Sequence, residues 1–239
     1  MDYEQITDDW DDNHKYSPAP RHRRRIILNL IKKLRYESVL DAGCAQPYLL
    51  EYFVRNGKEG YGCDISQTVI EKNRMRLPKC HFESFDLCKS CYPADQKFDL
   101  VVCSEVLEHL EIWKTAVMNL TRMSKKYILI TVPSGEIRYI DKKVGHLHHF
   151  QSDELIDELK EHGFSIVTVK KWGFPMHTLY KILVNLISPE NIFREFSIST
   201  YSNKKIALSQ CIFILFFIND LFRHGEQLFI LAKKSNAEI

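Results

Sequence analysis

The feature that most constrains this chain is a change of hydrophobic period near residue 38. Before it, Ile26, Ile27, Leu30, Ile31 and Leu34 recur at helical spacing, predicting a helix over about residues 21–35. After it, short apolar runs alternate with helix-patterned stretches. The runs are Ser38 to Ala42, Gly60 to Asp64, Cys80 to Ser84, Phe98 to Ser104, Tyr127 to Val132, Phe164 to Lys170 and Gln227 to Ala232. Between them, helices are expected over Pro47 to Asn56, closed by Gly57, over Ser66 to about Arg76, over Glu111 to Met123, and from a Ser152 cap to Gly163. Residues 174–222 read as two mainly apolar helices around a polar stretch. Phe98 to Ser104 (FDLVVCS) is almost continuously apolar, as a strand buried on both faces requires. The alternation predicts an α/β fold, a parallel sheet with helices on both faces. Ligands in such sheets sit outside the carboxyl ends of the strands.

Composition narrows the classes. The 239 residues are 45% hydrophobic and 27% charged, so global disorder is excluded. A net charge of +2 demands no polyanionic partner. The one basic run, Arg21, His22, Arg23, Arg24 and Arg25, reads as a solvated helix start, with phosphate or a membrane surface as the alternative. The first ~17 residues are polar and expected to be extended, leading into a rigid Ser17-Pro18-Ala19-Pro20. Met1 to Trp10 is acidic, with no apolar leader, and the seven cysteines are an odd number, so reduced thiols and a cytoplasmic location are expected. Cys88 and Cys91, near Cys80 and His81, are too irregularly spaced to favour zinc. The apolar run Ile206 to Ile218 is about 13 residues and would span about 20 Å, short of a bilayer core. It is a candidate core helix, dimer face or interfacial helix.

The strand ends carry the chemistry. Asp41-Ala42-Gly43-Cys44-Ala45-Gln46-Pro47 follows the first run and Asp64-Ile65 the second. Asp86-Leu87 follows the third, Ser104-Glu105-Val106-Leu107-Glu108-His109 the fourth, and Pro133-Ser134 the fifth. Gly43 lets backbone approach a ligand, and the helix that follows presents a partial positive charge. Asp64, about 20 residues on, is placed to accept from ribose hydroxyls. Asp86 can accept from an exocyclic amine. An acidic rim without a glycine-rich cradle disfavours a pyrophosphate and tolerates a cationic ligand. Only nine glycines are present, and the sole G-x-G, Gly60-Tyr61-Gly62, is followed by Ile65, which disfavours a dehydrogenase.

Taken in order, VLDAGCA (39–45), GCD (62–64), FD (85–86), FDLVVCSEVLEHL (98–110) and HHFQSDELIDELKEHGF (148–164) resemble the class I S-adenosylmethionine-dependent methyltransferases. The resemblance covers roughly residues 36–171. It implies a Rossmann-like seven-stranded sheet, order 3-2-1-4-5-7-6, with the last strand antiparallel and a helical insertion before it. It also implies an N-terminal segment and helix (1–35), a core (36–171 plus 226–234) and an insertion or cap (172–225). Carried over by position, Asp41, Gly43 and Ala45 would approach the methionine moiety of S-adenosylmethionine. Asp64 and Ile65 would hold the ribose, Asp86 and Leu87 the adenine, and Ser104 and Glu105 the floor near the sulfonium. The family usually reads G-C-G-x-G; here Ala45 and Pro47 replace the usual second and final residues. Pro47 suits a first helical turn.

Methyl transfer needs acceptor and methyl aligned, and a hydroxyl acceptor gains from a base near neutral pKa. His148 or His149 is the expected base, with His109 beside them; His146 belongs to the same loop. Glu105, Glu108, His109 and His148 also resemble the metal-binding set of small-RNA 2′-O-methyltransferases, so a divalent metal is an alternative, not the favoured reading. The segment 172–225 is apolar and aromatic, and suggests a bulky or lipid-linked acceptor, a peripheral membrane contact or a homodimer face. The expected function is O-methylation of a small-molecule, lipid-linked or glycan acceptor. A non-catalytic cofactor-binding scaffold and an RNA 2′-O-methyltransferase are the alternatives, although nucleic acid is disfavoured by the near-neutral charge.

Overall fold

In the computed structural model, which describes residues 11–93, 96–187, 190 and 200–235, seven strands form one sheet. They are β1 (Ser38–Ala42), β2 (Glu59–Asp64), β3 (His81–Ser84), β4 (Phe98–Ser104), β5 (Ser124–Pro133), β6 (Phe164–Trp172) and β7 (Gln227–Lys234). Their order is β3-β2-β1-β4-β5-β7-β6. All pairs are parallel except those of β7, which runs antiparallel to both β5 and β6. The helices are α1 (Asp11–Tyr16), α2 (Pro18–Ile31), α3 (Tyr48–Arg55), α4 (Gln67–Arg76), α5 (Trp113–Met123), α6 (Tyr139–Lys143), α7 (Ser152–Glu161), α8 (Met176–Ile187) and α9 (Asn203–Leu215).

The period-two pattern divides the sheet's side chains between two cores. Val101 and Cys103 of β4 point to the α5 and α7 side with Leu120 and Leu159, whereas Leu100 and Val102 point to the α2 and α3 side with Ile27 and Phe53. The antiparallel β7 alternates the same way, with Ile230 on the first side and Phe229 and Leu231 on the second. Covering both faces explains why β4 is apolar almost throughout.

Three local expectations are corrected. Residues 11–16 are helical rather than extended: Asp11 and Asp12 lie in the first turn of α1 and His14 and Lys15 in its last, matching the helix dipole. The next helix starts at Pro18 instead of near residue 21, because a proline is compatible with a first turn. The cap of α7 is Gln151, not Ser152; Glu154 accepts from the Gln151 N–H at 2.6 Å in a reciprocal capping box. Residues 1–10 of the acidic segment lie outside the described residues.

The basic run of α2 faces inward, which overturns its reading as a solvated surface. Arg21 lies over the Phe213 ring and donates to Gln210. Arg24 donates to the His14 carbonyl, and Arg25 pairs with Asp220 at 2.8 Å. His22 is fully buried, stacked on Trp172 and packed against Phe213 and Phe217. Its Nε2–H donates to the Phe213 carbonyl at 2.8 Å, while its Nδ1 accepts from Arg25. The Nδ1 contact requires the neutral ring, and burial holds its pKa down to about 4. The same cause holds His177, buried in the first turn of Met176–Ile187, at about 3.

Unfolded histidines take up protons near pH 6.5, and these folded ones resist until about 4 and 3. The stability they contribute is therefore present above pH 6.5 and is lost as pH falls towards 4. Denaturant titration across this range should show that decline. His22→Gln should flatten it by on the order of 1 kcal/mol per pH unit.

Candidate active site

A cleft of about 560 Å³ opens at the carboxyl ends of β1, β2, β4 and β5. Asp41, Gly43, Ala45, Asp64, Ile65, Asp86, Leu87, Ser104 and Glu105, the residues expected from the sequence to hold a nucleoside ligand, all line it. His109 lines it as well; His148 and His149 do not. On its other side the wall is made by Ile140, Asp141, Val144 and His146 around α6, and by Tyr180, Lys181 and Val184 of α8.

The β1–α3 loop is shaped by its neighbours. Gly43 sits at φ +75°, and a Cβ there would lie 2.3 Å from Val106 Cγ2. Both the Gly43 and Cys44 N–H groups donate to the Cys63 carbonyl, at 2.8 and 2.9 Å. Ala45 also adopts a left-handed conformation, φ +36°, where glycine is usual. Two side chains hold it there: Asp64 Oδ2 accepts from the Ala45 N–H at 3.0 Å, and the Asn73 amide donates to its carbonyl at 2.8 Å. Asp64 Oδ1 accepts from the Ser66 N–H, so its carboxylate is aimed before any ligand arrives. Asp41 is buried beside it, and burial with the Asp64 charge raises its pKa to about 7.

The cleft floor centres on Glu105, a non-glycine residue at φ +59°. Its carboxylate accepts from Thr131 Oγ1 (3.1 Å) and Gln227 Nε2 (2.7 Å), and pairs with Arg23 Nη2 at 2.9 Å. Ser104 Oγ shares a hydrogen bond with the same threonine at 2.9 Å. Arg23 was foreshadowed only by the basic run. Lys181, another residue the sequence reading did not single out, lies 3.4 Å from Asp141 and 3.5 Å from Glu226, which Arg138 grips with two nitrogens. Its one signal was being the single cation in an otherwise apolar helix.

The histidines separate. His109 Nδ1–H donates to the Gly145 carbonyl at 3.1 Å, and burial lowers its pKa. His148 turns away, paired with Glu154 at 3.0 Å and stacked on Trp113. His149 shares a 3.0 Å hydrogen bond with His146, whose pKa burial drives to about 2. Glu108 is fully buried and neither of its oxygens has a hydrogen-bond partner; burial and the Glu105 charge hold its carboxyl well above the usual range. Ligating atoms of Glu108, His109 and His146 lie within 4.8 Å of one another, as do those of Asp141, His146 and His149. This differs from the expected grouping with His148. No such grouping among the described residues includes a cysteine.

A family model described as a methyltransferase domain matches residues 13–169. A ubiquinone biosynthesis O-methyltransferase of Rhodopseudomonas palustris (strain BisB5) is 24% identical over 159 residues, covering 59% of this chain and 62% of that protein. The chain thus spans less than two thirds of the length of the curated relatives it matches. The fold resembles the N-methyltransferase NodS from Bradyrhizobium japonicum WM9 in complex with S-adenosyl-L-homocysteine, with a TM-score of 0.62 and 16% identity over 97% of each chain. It also resembles magnesium protoporphyrin IX methyltransferase from Synechocystis PCC 6803 with bound SAH, with a TM-score of 0.58 and 16% identity over 98% of this chain and 89% of that one.

Two substitutions test how the cleft is held. Gly43→Ala places a methyl against Val106 in a backbone region that costs a side chain roughly 1–2 kcal/mol, and calorimetry should show the melting temperature lowered by about 3 °C or more. Arg23→Gln should cost about 1–2 kcal/mol in denaturant titration. That is less than a fully buried pair, because both partners keep some solvent contact.

Proposed function

The chain belongs to the methyltransferase-domain family, and on that premise we propose that it transfers a methyl group from S-adenosylmethionine to an oxygen of a small-molecule acceptor. The convergence of the strand-end residues Asp41, Gly43, Asp64, Asp86 and Glu105 on one cleft is the observation that carries this reading. The cradle suits the ligand: Gly43 leaves no room for a Cβ, and the buried acids favour a ligand bearing positive charge. S-adenosylmethionine, when bound, supplies the electrophilic methyl group. Asp64 and Ile65 hold the ribose, Asp86 and Leu87 the adenine, Asp41, Gly43 and Ala45 the methionine end, and Ser104 and Glu105 the floor. In domain terms, 36–171 with 226–234 form the core, 1–35 an N-terminal cover and 172–225 the acceptor cap.

Of the expected bases, His109 is the one on the cleft. Its Nδ1–H is committed to Gly145, which makes Nε2 the basic nitrogen, and its lowered pKa keeps it unprotonated at neutral pH. It would take the proton from the acceptor hydroxyl as that oxygen receives the methyl group. Tyr180, Val184, Ile140 and Val144 give the acceptor side an apolar wall suited to a ring. The relative named for ubiquinone biosynthesis supports a phenolic, quinone-like acceptor. RNA is a weaker reading, since Arg21, Arg23, Arg24 and Arg25 already have partners within the chain.

A divalent cation is a second reading, favoured by Glu108 alone: a buried carboxyl without a hydrogen-bond partner, facing His109 and His146. These three residues would hold the ion, which could orient an acceptor's paired oxygens. Saturable heat on titrating Mg²⁺ or Zn²⁺ into the protein, lost in Glu108→Gln, would establish it; absence of heat removes it.

Titration calorimetry with S-adenosylhomocysteine tests the main reading. Saturable binding is expected, and Asp64→Ala should abolish it; no heat at millimolar ligand would leave the chain without its proposed cofactor. Affinity should rise as pH passes upward through about 7, because Asp41 must ionise to face the ligand's ammonium group, and Asp41→Asn should flatten that profile.

A further inference from the structure

Helix α8 is apolar on two sides. Tyr180, Lys181 and Val184 face the cleft. On the opposite side Leu179, Ile182, Leu183, Leu186 and Ile187 are exposed, Leu186 and Ile187 at 74% and 73%. Their spacing of three, one, three and one residues traces a single stripe along the helix. A second exposed set, Leu208, Leu215, Ile218, Leu221 and Phe222, follows α9 and the 3-10 segment Phe216–Leu221, with Leu221 at 80%. The two sets adjoin at the start of α8. There the Phe174 and Phe222 rings meet edge to face at 5.5 Å, and the Met176 N–H donates to Asn219. So much exposed apolar surface on adjoining elements marks a contact site and is not scattered surface leucine.

The charge around this surface identifies what covers it. Outside the cleft, the described residues from 170 to 224 carry Lys170, Lys171, Lys204, Lys205 and Arg223 against Glu190 and Asp220; Tyr139 donates to the glutamate and Arg25 neutralises the aspartate. The chain as a whole is nearly balanced, 33 basic residues to 31 acidic. A second copy would bring like charge against like charge. An anionic surface would satisfy both the cations and the apolar stripe. Among the described residues no helix is long and apolar enough to cross a membrane.

We propose that the outer face of α8, with the adjoining α9 and 3-10 arm, docks on an anionic lipid bilayer. The apolar side chains enter the interface and the lysines and Arg223 meet the head groups. The opposite side of α8 walls the acceptor compartment, so docking places that compartment one helix diameter, about 10 Å, from the lipid. A lipid-embedded acceptor could then enter without crossing water. This last step rests on the methyltransferase reading; the docking itself does not.

Sedimentation of the whole protein with extruded vesicles tests the proposal. Vesicles of phosphatidylcholine containing about one quarter phosphatidylglycerol should bind it on the order of tenfold or more better than phosphatidylcholine alone, and salt should weaken the difference. Leu183→Glu with Leu186→Glu should reduce binding by on the order of tenfold. Lys204→Glu with Arg223→Glu should remove the preference for anionic lipid. All these side chains are exposed, so circular dichroism and S-adenosylhomocysteine titration should match the parent protein. No binding to anionic vesicles, or binding insensitive to both double variants, overturns the proposal. So does a dimer in analytical ultracentrifugation that the leucine variants dissociate. Failure of the cofactor titration with vesicle binding intact would instead count against the methyltransferase reading alone.

Discussion

The ion pair between Arg23 and Glu105 is the contact on which the cleft depends. Glu105 leaves the central strand in a left-handed conformation that costs a residue of its kind roughly 1–3 kcal/mol. That conformation persists because its carboxylate is held by α2 through Arg23, by β5 through Thr131 and by β7 through Gln227. Three parts of the chain distant in sequence therefore meet at one carboxylate. The N-terminal helix is thereby a wall of the site rather than an appendage, and Pro20, Arg23 and Arg24 all line the cleft.

Among the acids of the floor and the acceptor side, charge balance follows a simple rule with one exception. Glu105 answers Arg23, Asp141 answers Lys181, and Glu226 answers both Lys181 and Arg138. Each of these three acids thus faces a cation where water is scarce, which lowers the cost of holding it there. Glu108 has no such partner, and its carboxyl accordingly favours the neutral form. The exception lies next to the histidines from which an acceptor base or a metal site would be built.

The strands and the nucleoside side of the cleft were legible because their signals are local, whereas the sheet order was implied only by the resemblance to the methyltransferases. β4 was readable to the residue, since burial on both faces leaves an unbroken apolar run. A strand's carboxyl end is named by the strand itself, so Asp41, Asp64, Asp86 and Glu105 could be placed without knowing their partners. The histidines were not legible in this way. Which ring faces the cleft is decided by the loop's path, and that path is set by the Glu108 carbonyl, which accepts from the Leu147 and His148 N–H groups. His148 is then drawn to Glu154 of the capping box. The inward turn of Arg21 to Arg25 was hidden for the same reason: Gln210, Glu105, His14 and Asp220 are neighbours only in three dimensions.

The antiparallel β7 has a consequence for the order of biosynthesis. Gln227, its first residue, bonds Glu105 and the Val132 carbonyl, and the strand fills the gap between β5 and β6. It leaves the ribosome after the whole cap. Until then β5 and β6 expose unpaired edges, and the floor lacks one of the contacts holding its carboxylate. A nascent chain can thus assemble the nucleoside side early, but its two halves are joined, and the floor completed, only when β7 inserts.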